Sequence, residues 1–223
     1  MKGFLAIARS IVSTLMLGCL AVAATAQQPQ VKTDLPYRVI EPALPPLSGA
    51  LGDSARDRIE VIQFFYYGCP HCFDMQPILD DWLAKKPADV EFRYVPALRD
   101  DKWLVLTRAA FALEILGADR RLRRPIYDVI NFDGAVLTDP AKFADWAARN
   151  GVDRARFMAV YESAEVTTRV EAARKATNDY GVRATPTFVV AGKYSFSSGQ
   201  AGSHYEAIRL LNQFVDLARR ERK

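Results

Sequence analysis

The chain has 223 residues, enough for one sizeable core, with half of them hydrophobic and a quarter charged. Its 30 basic and 26 acidic residues leave a small net charge of +4. The charges are interleaved rather than gathered into one basic stripe, which argues against nucleic acid as a partner. The cluster Arg120, Arg121, Arg123, Arg124 reads as a solvated helix end.

The first residues read as an export signal. Lys2 and Arg9 give a positive start, Ile11 to Ala24 is apolar, and Ala24-Thr25-Ala26 offers a cleavage site, so residues 1–26 are expected to be removed. A retained membrane anchor needs about 20 apolar residues, more than this run holds, and a lipoprotein signal at Cys19 fits poorly after Met16. Cleavage takes Lys2, Arg9 and Cys19, which leaves 28 basic against 26 acidic residues and two cysteines. Residues 27–46 read as a Gln- and Pro-rich tail, with a short extended stretch from Tyr37 to Ile40.

Ile59 to Tyr67 is almost continuously apolar and predicts a central strand covered on both faces. A helix begins at Cys69 or Pro70, carries Met75, Ile78, Leu79 and Trp82 on one stripe, and is kinked by Pro77. Val90 to Val95 alternates as a second strand. The pattern then turns helical: Leu104–Leu116, Arg121–Asn131, a helix capped by Asp139 before Pro140, a short one capped by Asp153, and Ala164–Tyr180. Thr185 to Phe196 reads as a strand, a turn at Ala191-Gly192-Lys193 and a second strand, together a hairpin, and Tyr205–Arg219 as the last helix. The order is β-α-β, a helical block, then β-β-α, which predicts an α/β fold with a helical insertion.

Cys69-Pro70-His71-Cys72 follows the first strand directly. A loop closed over two residues removes little chain entropy, so the pair is a poor structural staple. A closed zinc site wants about four Cys or His ligands; besides His71 the chain has only His204, so no metal is expected. Redox chemistry remains. Three features favour a Cys69 thiolate: the helix N-terminus, His71 in the first turn, and the N–H and thiol of Cys72 one turn on. A stabilised thiolate stabilises the reduced pair and makes its disulfide an oxidant. Cys69 is therefore the attacked sulfur, and Cys72, facing the helix, the resolving one.

Phe-Phe-x-x-x-Cys-Pro-His-Cys at Phe64 to Cys72, the helical insertion and Thr185-Pro186-Thr187 closely resemble the DsbA family of periplasmic thiol oxidases. The resemblance runs from about Tyr37 to the C-terminus. It implies a thioredoxin-like fold formed by residues 47–98 and 177–223, with residues 99–176 inserted. It implies catalytic roles for Cys69, Pro70, His71 and Cys72, and a cis Pro186 packed against the disulfide. It further implies substrate pairing at Thr185 by strand addition. The redox-active disulfide would stand in place of a cofactor, and the protein would be a periplasmic monomer. Its partners would be reduced, unfolded exported proteins and a DsbB-type, quinone-linked membrane oxidase. Many members carry a buried Glu six residues before the nucleophile; here that position is Gln63, which removes a charge that would repel the thiolate. Gln63 is either a tuning residue or a buried amide satisfied by backbone. Tyr66, Tyr67, Phe73 and Trp103 divide between core and an apolar substrate groove. The competing functions are a disulfide isomerase or reductase, which usually has a separate dimerisation domain, and a holdase with incidental thiols.

Overall fold

The computed structural model describes residues 35–55, 57–133 and 137–222. The expected export signal, Cys19 and the first part of the tail lie outside the described residues. Among the described residues, five strands make one sheet: β1 (Arg38–Val39), β2 (Ile59–Phe65), β3 (Val90–Pro96), β4 (Thr187–Val190) and β5 (Tyr194–Ser197). Their order is β1-β5-β4-β2-β3. Only β2 and β3 run parallel, with Ile59 opposite Val90 and Phe65 opposite Pro96. This is the pair joined by a helical crossover, α1 (Pro70–Leu83), as a parallel connection requires. β4 lies antiparallel on the other side of β2, with Gln63 opposite Phe188.

β2 is buried at every residue, as its apolar run requires of a strand covered on both faces. One core holds Ile59 and Val61 with Met75, Leu79 and Trp82 of α1 and with Phe188, Val190 and Phe196 of β4 and β5. The last helix, α8 (His204–Glu221), adds Leu210, Leu211, Phe214 and Val215 to it. The other core takes Ile62 and Phe64 into the helical block. That block comprises α2 (Leu104–Ile115), α3 (Asp119–Asn131), α4 (Pro140–Arg149), α5 (Arg154–Tyr161) and α6 (Ala164–Asp179).

Local chemistry sets the helix ends. The side chains of Asp139, Asp153 and Ser163 accept hydrogen bonds from the backbone N–H of Lys142, Arg156 and Val166. Past α6 the chain turns at Gly181, where φ is +58°. A short helix without an expectation in the sequence, α7 (Ser198–Ala201), is held by a capping box between Ser197 and Gln200. The stretch before β2 is more than a tail. Arg38 and Val39 pair with Ser195 and Tyr194, and Ile40 N–H donates to the Lys193 carbonyl at 2.7 Å. Gly192 (φ +66°) has no room for a side chain, because the Leu44 carbonyl passes against it while the Leu44 N–H donates to the Gly192 carbonyl at 3.0 Å. Among the described residues no helix is long and apolar enough to cross a membrane.

Candidate active site

β2 ends at Phe65, and the chain turns through Tyr66, Tyr67 and Gly68 into α1. Gly68 is required by close approach: a side chain there would meet the Tyr66 ring at 2.5 Å. That ring stacks on Trp103, centroids 4.1 Å apart and 15° between planes. Cys69 is the N-cap of α1, in extended conformation, and Pro70 takes the first helical position, where a missing N–H costs nothing. The Cys69 carbonyl accepts from the N–H of Cys72 and of Phe73 at 3.1 and 3.2 Å, which closes the first turn. His71 lies exposed between the thiols, while Cys72, one turn in, is buried.

Thr185 and Pro186 arrive from the loop before β4. The Thr185–Pro186 peptide is cis, and Pro186 is buried. The Cys69 thiol donates to the Thr185 carbonyl at 3.2 Å, so a loop far along the chain meets the helix start. Gln63 is buried in mid-strand, between Tyr94 of β3 and Phe188 of β4. Strand alternation gives it the face that Ile59 and Val61 present to α1 and α8.

The two thiols sit in opposite electrostatic states. Hydrogen bonding from the Cys72 thiol is the largest influence on Cys69; the Thr185 side chain and the N–H groups of Cys72 and His71 add to it against a burial penalty. Together they bring the Cys69 thiol from its ordinary value of 9.0 down to about 6. Burial pushes the Cys72 thiol well above its ordinary value, and the neighbouring Cys69 reinforces it. One sulfur is thus poised as an anion with access to solvent, and the other is a protonated, enclosed donor. The sequence pattern located the pair but missed their surroundings. Tyr127 of α3 is fully buried and feels the charge of both cysteines, and His204, at the start of α8, faces His71. The lone second histidine was the only signal for the latter, and its proximity is purely tertiary.

Of the four aromatic residues left between core and groove, Tyr67 is buried in the core against Phe65 and Tyr127. Tyr66, Trp103 and Phe73 are half-buried, and Phe73 packs against Phe132, a residue 70% exposed.

A low-pKa thiol at a helix start, a buried partner thiol one turn on and a cis-proline loop against them define a thiol:disulfide oxidoreductase of thioredoxin-like fold. Comparison with known proteins narrows this. The profile of the DSBA-like thioredoxin domain matches residues 99–205. The thiol:disulfide interchange protein DsbA of Azotobacter vinelandii is 35% identical over 162 residues, which cover 73% of this chain and 76% of that protein. DsbA of Pseudomonas aeruginosa is 35% identical over 173 residues, covering 78% and 82%. The crystal structure of Pseudomonas aeruginosa DsbA superposes with a TM-score of 0.77 at 32% identity, covering 83% of this chain and 93% of that one. The chain belongs to the DsbA family of thiol:disulfide interchange proteins.

Proposed function

We propose that this protein oxidises exported proteins in the periplasm by handing on the Cys69–Cys72 disulfide. The observation that carries the direction is the Cys69 thiol, drawn down to about 6 at the N-cap of α1. Whatever stabilises that thiolate stabilises the reduced pair, and a pair that favours its reduced form gives its disulfide away. A substrate thiolate attacks Cys69 Sγ; the Cys69–Cys72 bond breaks and Cys72 leaves as thiolate, taking up a proton as its burial demands. The second substrate thiol, deprotonated, attacks its own sulfur in the mixed disulfide. The new substrate disulfide forms and Cys69 departs as the stabilised thiolate. Pro70 and His71 shape and polarise the turn. The backbone at Thr185, beside Cys69, offers an extended substrate its strand-like hydrogen bonds, with cis Pro186 holding the loop in place. The half-open aromatic pairs Tyr66–Trp103 and Phe73–Phe132 give the substrate an apolar footing.

The cofactor on this reading is the disulfide itself. Reoxidation falls to a DsbB-type, quinone-linked membrane oxidase, and the working unit is a monomer without nucleic acid. Residues 1–26 serve as the cleaved export signal. Residues 47–98 and 177–223 form the thioredoxin-like domain and 99–176 the insertion, with 27–46 leading into it. Equilibration with glutathione tests the direction. The pair should be more oxidising than thioredoxin, whose potential is about −270 mV; a value that reducing or lower overturns the oxidase reading. Gln63 is proposed to keep the strand beneath the thiols uncharged, which Gln63→Glu tests below.

A further inference from the structure

The chain has two histidines, and the fold brings them together although they lie on different helices. His71 sits in the first turn of α1 and His204 is the first residue of α8, two helices that pack against each other. Their ring centroids are 6.1 Å apart, at 66°. Asp74 follows His71 at the i, i+3 spacing that places two side chains on one helix face. Each of the three offers one ligand atom, and these atoms all lie within 4.8 Å of one another. His204 Nδ1 is buried and has no hydrogen-bond partner among the described residues.

We propose that His71, Asp74 and His204 form a binding site for a divalent first-row transition metal, with Zn²⁺ as the best-matched ion. Two imidazole nitrogens and one carboxylate are the donor set of open zinc sites, in which water completes the tetrahedron. Imidazole also suits Cu²⁺ and Ni²⁺, whereas Mg²⁺ and Ca²⁺ demand six or more oxygen ligands, of which Asp74 supplies the cluster's one carboxylate. Around a tetrahedral zinc with ligands at about 2.0–2.1 Å, neighbouring ligand atoms lie about 3.4 Å apart. His71 and Asp74 are both exposed, so their side chains have the rotational freedom that closing from 4.8 Å to that spacing would need. Counting ligands along the chain misses the site, because that count looked for metal at the thiols. This site uses neither sulfur. It also adds a function to the dipeptide between the cysteines: through His71, a bound ion sits beside the redox pair without being part of it.

The test is calorimetric titration of the oxidised protein lacking residues 1–26 with Zn²⁺, the two remaining thiols being withheld by their own disulfide. One Zn²⁺ should bind, and His204→Ala and Asp74→Asn should each weaken it by at least about 10-fold, since even outer partners of a metal ligand cost that much. Co²⁺ in place of Zn²⁺ should give the visible bands of a nitrogen and oxygen site, without the thiolate charge-transfer band. Circular dichroism and urea unfolding show whether each variant is folded, and two variants on different helices guard against one of them failing. Three results overturn the proposal: no binding to the oxidised protein, equal binding by folded His204→Ala and Asp74→Asn, or binding that appears only on reduction and vanishes in Cys69→Ala.

Discussion

The two ends of β2 bury ionisable groups in the same strand environment and put them to opposite uses. Beyond its C-terminal end, Cys69 gains more from hydrogen bonds to its anion than it loses to burial, and its pKa falls. Near its N-terminal end, Glu60 is more deeply enclosed than Cys69, and burial outweighs its hydrogen bonds from Ser54 and the Leu47 N–H, so its pKa rises. The Leu47 N–H bond is 3.1 Å long, Ser54 Oγ also donates to the carboxylate, and Arg93 of β3 donates to Ser54 Oγ at 2.8 Å. One end holds a charge ready for chemistry. The other spends its acid on pinning the 47–54 segment to the sheet. Burial alone therefore says nothing about function; what decides is whether the donors around the group outbid its lost hydration.

That contrast breaks most visibly at the catalytic end. Cys69→Ala should abolish oxidation of a reduced dithiol peptide, whereas Glu60→Gln should leave the rate within about twofold; comparable losses in both would mean that the two ends are one machine. In Cys72→Ala, with Cys69 first converted to its mixed disulfide with an aromatic thiol, a peptide carrying a single thiol should displace that leaving group, and the Cys69–peptide mixed disulfide should accumulate on a non-reducing gel.

Stability separates the ends next. Glu60→Ala strands the Leu47 N–H and the Ser54 hydroxyl and should cost about 1–3 kcal/mol in urea unfolding. The Cys69 pKa, read from thiolate absorbance, should not move with it.

The pH slopes should then have opposite signs. Cys69 titrates at about 6 in the folded protein and near its ordinary value of 9.0 when unfolded, so between those values the unfolded reduced chain binds more protons. Stability of the reduced protein relative to the oxidised one should climb with pH across that window and be lost as pH falls through 6. The buried Cys72 opposes this only above 9, because its pKa is raised. For Glu60 the folded state binds the proton more tightly. Its contribution is fully present below 4.5 and declines as pH rises through the raised folded value, a decline that Glu60→Gln should remove. The smallest effect expected is that of Gln63→Glu. An acid there should move the Cys69 titration upward by about one pH unit or less. No upward movement would end the tuning role of Gln63.

What the sequence disclosed was what neighbours in the chain decide. Asp139, Asp153 and Ser163 cap their helices because a short oxygen-bearing side chain before a helix has few other options. The apolar run of β2 and the turn after Val190 are equally local, and so is Cys-Pro-His-Cys at a helix start. Contacts between distant segments stayed hidden. Nothing near Glu60 announces Leu47 and Ser54 as its partners, and nothing near His71 announces His204. Tyr37 to Ile40 reads as extended from its residues, but nothing local announces that Arg38 and Val39 pair with β5. Ser197-Ser198-Gly199-Gln200 carries a capping box that fits a loop as readily as the single helical turn it forms.

β1, two residues long, has a consequence out of proportion to its size. β5 would otherwise be the rim of the sheet, a ready template for any extended polypeptide. Arg38 and Val39 occupy its outward positions at Ser195 and Tyr194, Gln200 Oε1 takes the Ser197 N–H at 3.0 Å, and Leu44 crosses the turn at Gly192. On this side the sheet is finished with its own chain. On the function proposed above, extended polypeptides meet a β5 edge already paired among the described residues, and encounters are left to the loop beside Cys69, where a bound chain can be chemically let go.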